Sequence, residues 1–172
     1  MKNKRLTKYY LLAGEASGDL HGGNLIRAIK KVDSRSSFFG IGGKSMINEG
    51  LCSLVSLNQI AVLGFFEVIK KLPFFLQLKK NVIEDINKVL PDKIILIDYP
   101  GFNLRLAKEI KRELNIPVIY YISPQLWAWK EKRIEMIKKY IDTLIVLFPF
   151  EIDWYKKRGV HVKYFGHPLV PG

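Results

Sequence analysis

Short apolar runs alternate along the chain with stretches in which apolar residues recur at helical spacing. Runs such as KIILI and TLIVLF are apolar throughout, which is typical of strands in a parallel sheet covered by helices on both faces. The pattern predicts strands at 9–13, 37–41, 51–57, 93–97, 118–122, 143–148 and 162–165. It predicts helices at 20–31, 63–90 with an interruption at Pro73, 104–114, 129–140 and 150–157. This alternation indicates an α/β fold with a doubly wound, mainly parallel, Rossmann-like sheet flanked by helices.

The residues that follow the apolar runs differ from the rest of the chain. In doubly wound sheets, ligands bind beyond the carboxyl ends of the strands. Gly, Ser, Asp, His and Trp concentrate at these positions, in the segments 14–19, 42–43, 98–101, 123–127 and 166–168. We therefore expect the functional site at this edge of the sheet. The chain shows no internal repeat or low-complexity linker, and its 172 residues predict one domain that stops near a domain boundary.

The chain is strongly basic. It has 28 Lys and Arg against 16 Asp and Glu, and the net charge of +12 favours anionic partners such as phosphate groups, acidic lipid surfaces or nucleic acid. A compositional bias toward lysine would give the same balance. The lysines are dispersed and the aromatic residues cluster with aliphatic ones, so we expect no nucleic-acid partner.

Cysteine usage and the first residues bear on location. Cys52 is the only cysteine, which excludes an intrachain disulfide and a cysteine-based metal site and fits a reducing compartment. We expect Cys52 to be a small core residue. Glu15 ends the first apolar run too early for a signal peptide, and no later run is long enough to span a bilayer. These features predict a cytosolic protein, which its charge could bring to a membrane face.

The segment GEASGD ends the first predicted strand and opens the first predicted helix. Gly14 and Gly18 would permit a sharp turn and let a ligand approach the backbone. Ser17 or Asp19 could cap the helix. The spacing matches neither a dinucleotide-binding loop nor a P-loop. Because Glu15 and Asp19 would repel an anion, the segment suits hydroxyl groups, with Glu15 as hydrogen-bond acceptor or base; the alternative is that both carboxylates only cap the helix.

Further candidates follow three later strands. Asp98 comes directly after KIILI, where a carboxylate can take the proton of an attacking hydroxyl group, or can form an Asx turn ahead of the next proline. The segment SPQLWAW begins at Ser123 and contains Trp127. The Trp127 side chain could form the floor of a sugar-binding or acyl-binding pocket, or it could fill the core. His167 could bind phosphate or transfer a proton, whereas no partner for His21 can be assigned from the sequence.

The stretch 63–80 has apolar side chains on more than one helical stripe. If one face of the helix is buried in the core, Phe and Leu side chains still remain on the other faces. Together with four lysines this predicts an interfacial helix that dips aromatic residues into lipid and sets lysines at the headgroups. The alternative is contact with another domain or subunit. The predicted membrane-contact residues are Phe65, Phe66, Ile69, Lys70, Lys71, Phe74, Phe75, Lys79 and Lys80.

Several motifs together resemble one family. They are AGEASGDLHGGNLI, GIGGKSM, LIDYPGFNLRLA, YYISPQLWAWKEKR, LFPFE and GHPL, and they occur in order from about Tyr9 to Leu169. The chain closely resembles the amino-terminal half of the lipid-A-disaccharide synthases. The combination of AGEASGD with SPQLWAW is highly specific, and the resemblance covers nearly the whole chain.

The resemblance implies an inverting glycosyltransferase of the GT-B class, in which two Rossmann-like domains face a cleft. Such enzymes join UDP-2,3-diacylglucosamine to 2,3-diacylglucosamine 1-phosphate and release UDP and the β-1,6-linked lipid A disaccharide precursor. They act peripherally at the inner face of the inner membrane, which supports lipid contact by the 63–80 stretch. No metal or organic cofactor is implied.

The resemblance also implies roles for individual residues. Asp98 becomes the base for the acceptor's 6-hydroxyl group, Glu15 holds acceptor hydroxyls or orients the attack, and Asp19 and His21 shape the loop. The remaining expected substrate-binding residues are Gly14, Ser17, Gly18, Ser123, Trp127 and His167. The second domain, which would supply most of the nucleotide-sugar site, is absent from this chain, and the surface left open makes self-association an expectation. The alternative to an acceptor-side half is a non-catalytic lipid-binding module.

Overall fold

Seven parallel strands form one sheet in the computed structural model, which describes residues 6–56, 72–126 and 133–166. The strands are β1 (Lys8–Ala13), β2 (Ser37–Gly42), β3 (Leu51–Ser56), β4 (Lys93–Ile97), β5 (Val118–Tyr121), β6 (Thr143–Val146) and β7 (Val162–Tyr164). Their order across the sheet is β3-β2-β1-β4-β5-β6-β7, and every neighbouring pair is parallel. The prediction of a doubly wound, Rossmann-like α/β fold is confirmed.

Helices connect the strands. The described helices are α1 (Ala16–Val32), α2 (Lys44–Asn48), α3 (Leu72–Val89), α4 (Pro100–Glu113), α5 (Ile134–Tyr140) and α6 (Pro149–Lys156). Helices α1 and α4 begin four residues earlier than predicted, because Ala16 follows an extended Glu15 and because Pro100 occupies the first helical turn, where its missing N–H costs no hydrogen bond. Pro73 lies in the first described turn of α3, and the part of the predicted 63–90 helix that precedes Leu72 lies outside the described residues. The five-residue helix α2 was not predicted.

The core lies on both faces of the sheet, as the apolar strands predicted. In β1, Leu11 and Ala13 face a cluster that includes Ile26 of α1 and Met46 of α2. Tyr10 and Leu12 point to the opposite face, toward side chains of α3, α4, α5 and α6. Residues 10–13 are all at most 2% exposed. The central strands are therefore fixed from both sides, which holds their carboxyl ends in place.

Gly40 allows β2 to lie against β1. It pairs with Leu11 and has a φ angle of +130°, outside the range that other residues adopt easily. A Cβ atom at this position would lie 1.9 Å from the Leu11 carbonyl oxygen. The register of β2 with β3 also shifts between Gly40 and Ile41. The close approach of β1 and β2 therefore requires glycine here.

Cys52 does not lie in the core. Its side chain is exposed on β3, the edge strand of the described sheet, so the expectation of a small core residue is wrong. Alternation along an edge strand turns every second side chain away from the core, and sequence alone gave no sign that β3 is an edge strand. In the described part of the chain, no helix has both the length and the apolar character needed to cross a bilayer.

Candidate active site

The candidate site lies where the direction of the chain reverses across the sheet. From β1 the chain continues toward β2 and β3, whereas from β4 it continues toward β5, β6 and β7. The helices leaving β1 and β4 therefore lie on opposite faces, and a crevice opens between the carboxyl ends of these two strands. Ala13 pairs with Ile97, so the segments that begin at Gly14 and at Asp98 leave the sheet side by side.

Two carboxylates and a histidine meet in this crevice. Glu15 is exposed and precedes α1 in an extended conformation, and its side chain makes no capping hydrogen bond. Partial burial of the Glu15 carboxyl group and the charge of the neighbouring Asp98 raise its pKa. Burial also raises the pKa of the half-buried Asp98 carboxyl, and the Tyr99 N–H and the nearby His21 offset only part of this rise. A carboxylate with a raised pKa is a stronger base, so Asp98 is suited to accept a proton.

The backbone around the crevice adopts uncommon conformations. Asp98 and Tyr99 have φ angles of 47° and 50°, and Ile122, just after β5, has a φ angle of 69°. A β-branched residue in this region is an outlier, and each such residue costs about 1–3 kcal/mol. This strain ends β5 one residue earlier than predicted. Strained residues of this kind cluster at functional sites, which supports the location given by the strand order.

Tyr99 is a site residue that the sequence reasoning missed. Its ring lies so close to Gly14 that a Cβ atom on this glycine would be 2.6 Å from the ring carbons. Burial and the charge of Glu15 raise the pKa of the Tyr99 hydroxyl. Tyr99 therefore forms a wall of the crevice beside both carboxylates. Its position directly after Asp98, at a strand end, was the signal that could have identified it.

A cavity of about 310 Å³ lies on the other side of Asp98. It is lined by Asp98, Pro100, Ile122, Ser123, Pro124, Gln125, Leu147, Phe148 and Glu151. Ser123 thus lines a cavity beside Asp98. The mixture of apolar side chains with a few polar groups is typical of small-molecule sites.

Glu151 fixes one wall of this cavity and was not predicted as a site residue. Its carboxylate is 1% exposed and accepts hydrogen bonds from the Ser123 hydroxyl at 2.6 Å and from the N–H groups of Leu147 and Phe148 at 3.1 and 3.0 Å. It therefore joins the end of β5 to the end of β6. The sequence LFPFE offered a signal, since a carboxylate three residues after a helix N-cap often accepts bonds from that N-cap.

Asp19 has a structural role that the sequence did not predict, and its role in substrate binding stays a prediction. Asp19 is 7% exposed, and its carboxylate accepts hydrogen bonds from the N–H groups of Gly43, Ser45 and Met46 at 2.7, 2.9 and 3.0 Å. It therefore caps α2 rather than α1 and faces away from solvent. Because α2 was not predicted, the sequence offered no partner for this carboxylate.

The start of α1 at Ala16 places two neighbouring candidates, Ser17 and Gly18, inside the helix. Gly18 is buried within α1, and a Cβ atom on it would lie 3.4 Å from Ala13 and 3.6 Å from Ile97. Gly18 therefore packs α1 on the sheet and does not form a ligand-binding turn. Ser17 is an exposed residue of α1. Its role in substrate binding stays a prediction.

Replacing Asp19 with alanine should lower the free energy of unfolding by about 3 kcal/mol, because three N–H groups lose a charged acceptor. Equilibrium unfolding in urea measures this. The matched control is Asp33→Ala, since Asp33 is partly exposed and its carboxylate accepts only long bonds from the described residues, from the Thr7 hydroxyl at 3.3 Å and from the Arg35 N–H at 3.4 Å. The control should cost less than about 1 kcal/mol. Equal losses in the two variants would contradict the role given to Asp19.

The described part of the predicted membrane segment is only partly suited to lipid contact. The Phe75 ring packs against the core and lies 5.8 Å from the Phe102 ring, and Lys79 forms an ion pair with Glu109 at 3.0 Å. Both residues are only partly buried, and their contact with lipid stays a prediction. Periodicity could not show that α4 covers this side of α3. Lys80 is exposed. Phe65, Phe66, Ile69, Lys70, Lys71 and the Phe74 side chain lie outside the described residues.

Two further predicted site residues, Trp127 and His167, also lie outside the described residues. Within residues 6–56, 72–126 and 133–166, no group of three or more His, Cys, Asp or Glu side chains is arranged to hold a metal ion. The described site therefore consists of Gly14, Glu15, His21, Asp98, Tyr99 and the cavity beside Asp98.

Comparison with known proteins relates this site to one family. The sequence profile described as lipid-A-disaccharide synthetase matches residues 9–171. The lipid-A-disaccharide synthase of Trichlorobacter lovleyi is 46% identical over 170 residues, which are 96% of this chain and 43% of that protein. Lipid-A-disaccharide synthase 1 of Legionella pneumophila is 44% identical, over 95% of this chain and 43% of that protein. The corresponding synthase of Myxococcus xanthus is 41% identical, over 93% of this chain and 42% of that protein.

The chain thus spans less than half the length of the curated relatives it matches. The profile nevertheless covers all seven strands apart from the first residue of β1. It also covers the two segments that carry Glu15 and Asp98. On these grounds the chain belongs to the lipid-A-disaccharide synthetase family.

Proposed function

We propose that this chain is the acceptor-side half of an inverting glycosyltransferase. The enzyme joins UDP-2,3-diacylglucosamine to 2,3-diacylglucosamine 1-phosphate and gives the β-1,6-linked lipid A disaccharide precursor and UDP. The observation that carries the proposal is the meeting of Glu15, His21 and Asp98 at the reversal point of the sheet, in a chain of this family. This arrangement provides a base and hydroxyl-binding groups at one point of a crevice.

Asp98 acts as the general base in this mechanism. As the acceptor's 6-hydroxyl oxygen forms a bond to the anomeric carbon of the donor, the bond from that carbon to the UDP oxygen breaks. The hydroxyl proton passes to the Asp98 carboxylate, and UDP leaves with the bonding electron pair. Attack from the face opposite UDP inverts the anomeric centre.

Neighbouring groups orient the acceptor. Glu15 accepts a hydrogen bond from an acceptor hydroxyl, and burial together with the charge of Asp98 raises the pKa of its carboxyl group. His21 stabilises the ionised form of Asp98. The acceptor's sugar ring occupies the cavity beside Asp98, where Ser123 and Gln125 supply polar contacts. Holding the reacting hydroxyl group at the base in this way reduces the entropic part of the barrier.

Turnover requires a partner for the donor. The relatives are more than twice as long as this chain. In this proposal, the remainder of the enzyme binds the UDP-sugar. The test is product formation, followed by mass spectrometry, with both substrates in detergent. The chain is assayed alone and with a separately expressed carboxyl-terminal part of the Trichlorobacter lovleyi relative.

Disaccharide formed only in the mixture supports the proposal. Disaccharide formed by the chain alone would contradict the need for a partner. No disaccharide in either assay, with both parts folded, would favour a lipid-binding module without turnover.

The pH dependence of the complemented enzyme should report Asp98. Because the proposed base works in its ionised form, kcat/KM should fall as the pH drops through the Asp98 pKa, which lies above the usual value of about 3.9. The effect on stability has the opposite sign, since a raised carboxyl pKa contributes stability at low pH that is lost as the pH rises through it. A pH profile of kcat/KM measures the first effect. An acid limb at or below the usual carboxyl value would contradict it.

We also propose that the protein works peripherally at the inner face of the inner membrane, since both substrates are acylated. Replacing Phe65 and Phe66 with serine should weaken binding to anionic liposomes at least about tenfold, because two aromatic side chains no longer enter the lipid. Liposome co-sedimentation measures this. The matched control is Leu90→Ser, since Leu90 is 65% exposed just beyond the carboxyl end of α3. Equal binding by the double variant and the parent would contradict the assignment.

A further inference from the structure

The main-chain carbonyl group of Asp98 is held by two buried side chains. The Tyr120 hydroxyl donates a hydrogen bond to this oxygen at 2.5 Å, and the Asn103 side-chain nitrogen donates another at 2.7 Å. The same Asn103 nitrogen lies 3.2 Å from the Ile97 carbonyl oxygen, which it also contacts as a donor. Tyr120 and Asn103 are both 0% exposed. Donors from β5 and from the first turn of α4 thus converge on one peptide group.

The other side of Asp98 is fixed as well. Its N–H group donates to the Tyr121 carbonyl oxygen at 3.1 Å, and the Asn103 N–H donates to the Tyr99 carbonyl oxygen at 3.1 Å. The peptide groups before and after Asp98 therefore have defined orientations. Since these orientations set φ and ψ, they also set the direction in which the Asp98 side chain leaves the backbone.

The conformation held in this way is an unfavourable one. Asp98 and Tyr99 are left-handed at the start of a helix, where the residue before the first turn is usually extended. The left-handed residues Leu90 and Asn115 differ, because they follow the ends of α3 and α4, where this conformation is common. A left-handed residue at a helix start persists only when its surroundings hold it there.

We propose that Asn103 and Tyr120 are positioning residues for the base: by holding the Asp98 carbonyl oxygen, they keep the Asp98 carboxylate in the crevice beside Glu15. Neither side chain needs to touch a substrate. The significance of the arrangement for catalysis rests on the proposed function, whereas the positioning itself does not. If the donors are removed, the backbone at Asp98 relaxes and the carboxylate moves toward water.

The titration of Asp98 reports this movement directly. The titratable groups near its carboxyl group are Glu15 after β1, His21 on α1, Tyr99 and Tyr120. The charge of Arg133 offsets part of the rise that burial causes in the Tyr120 pKa. Burial raises the Asp98 pKa, so a carboxylate that moves toward water should titrate closer to the usual value of about 3.9. The measurement is ¹³C NMR of the labelled Asp98 carboxyl carbon over a pH series, with the chain as it stands.

The variant is Tyr120→Phe, which removes one donor and keeps the ring. Its matched control is Tyr10→Phe: Tyr10 is also 0% exposed, and its hydroxyl donates to Asp85 at 3.0 Å, on α3 and away from the crevice. We expect the Asp98 pKa to fall by about 0.5 or more in Tyr120→Phe and to stay unchanged in Tyr10→Phe. An Asp98 pKa in Tyr120→Phe equal to that of the parent, or an equal fall in the control, would overturn the proposal.

Activity separates this proposal from the proposed function. In the complemented enzyme, Tyr120→Phe should lower kcat about tenfold with little change in the acceptor KM, because the base rather than the binding surface is displaced. Added to Asp98→Asn, the same change should have no further effect. If Asp98→Asn keeps full activity, the proposed function fails, and the NMR titration still decides the positioning. A further loss from Tyr120→Phe in the Asp98→Asn background would count against positioning through Asp98.

Discussion

Replacing Asp98 with asparagine should lower turnover of the complemented enzyme by about 10²- to 10⁴-fold, which is the range that general base catalysis contributes. Asparagine keeps the shape of the side chain and cannot take up the hydroxyl proton. The strand end should keep its structure, because the main-chain N–H of residue 98 donates a hydrogen bond and its main-chain carbonyl oxygen accepts two, and the substitution leaves these groups in place. Single-turnover rates and thermal unfolding, measured on the same preparation, test both parts of this expectation.

Two further variants make the Asp98 result specific. Glu15→Gln should reduce turnover less, because Glu15 is exposed and only orients the acceptor in this mechanism. Asp153→Asn changes an exposed aspartate on α6 and should leave turnover unchanged. Full turnover by Asp98→Asn, with a normal melting temperature, would remove Asp98 from the mechanism.

Replacing Gly40 with alanine should lower the free energy of unfolding by about 4 kcal/mol or more, one of the largest effects expected of a single substitution. The added methyl group would lie 1.9 Å from the Leu11 carbonyl oxygen, a distance that no side-chain rotation can relieve. Strand β2 must then move away from β1, and the hydrogen bonds between them are lost or lengthened. Urea unfolding of the isolated chain measures the loss.

Gly159→Ala is the matched control for this substitution. Gly159 also has a positive φ angle, +73°, and a Cβ atom there would meet no atom of the described residues within 4 Å apart from those of its chain neighbours. The control therefore adds the backbone penalty without the collision, and it should cost about 1–2 kcal/mol. A similar loss in both variants would mean that the contact between Gly40 and Leu11 is not what makes glycine necessary.

The strands and their approximate limits could be predicted, because strands that are buried on both faces form continuous apolar runs. Helix starts were predicted less well. The segments before α1 and α4 contain Gly, Ser and Pro, which usually indicate loops, yet both helices begin within them. Helix α2 has five residues, too few for a periodic pattern.

The pairing of Glu15 with Asp98 followed from one rule, that ligands bind where strands end at one edge of the sheet. The contacts of Asp19, Phe75 and Lys79 could not be predicted, since each depends on a helix that packs from a distant part of the chain. The groups that hold the site were missed for a related reason. Asn103 and Tyr120 are buried polar residues that lie among apolar ones, and their roles cannot be told before their partners are known. For Glu151 the signal was its place three residues after the N-cap of α6.

The carboxylate of Glu151 has a consequence for how the cavity meets a ligand. Because it joins Ser123 to Leu147 and Phe148, the loops after β5 and β6 are already tied together before anything binds. A preorganised wall loses little conformational entropy on association, so more of the contact energy can appear as affinity. If the acceptor binds at this cavity as proposed, the loops after β5 and β6 should change conformation little on binding, and the entropic cost of ordering them should be small.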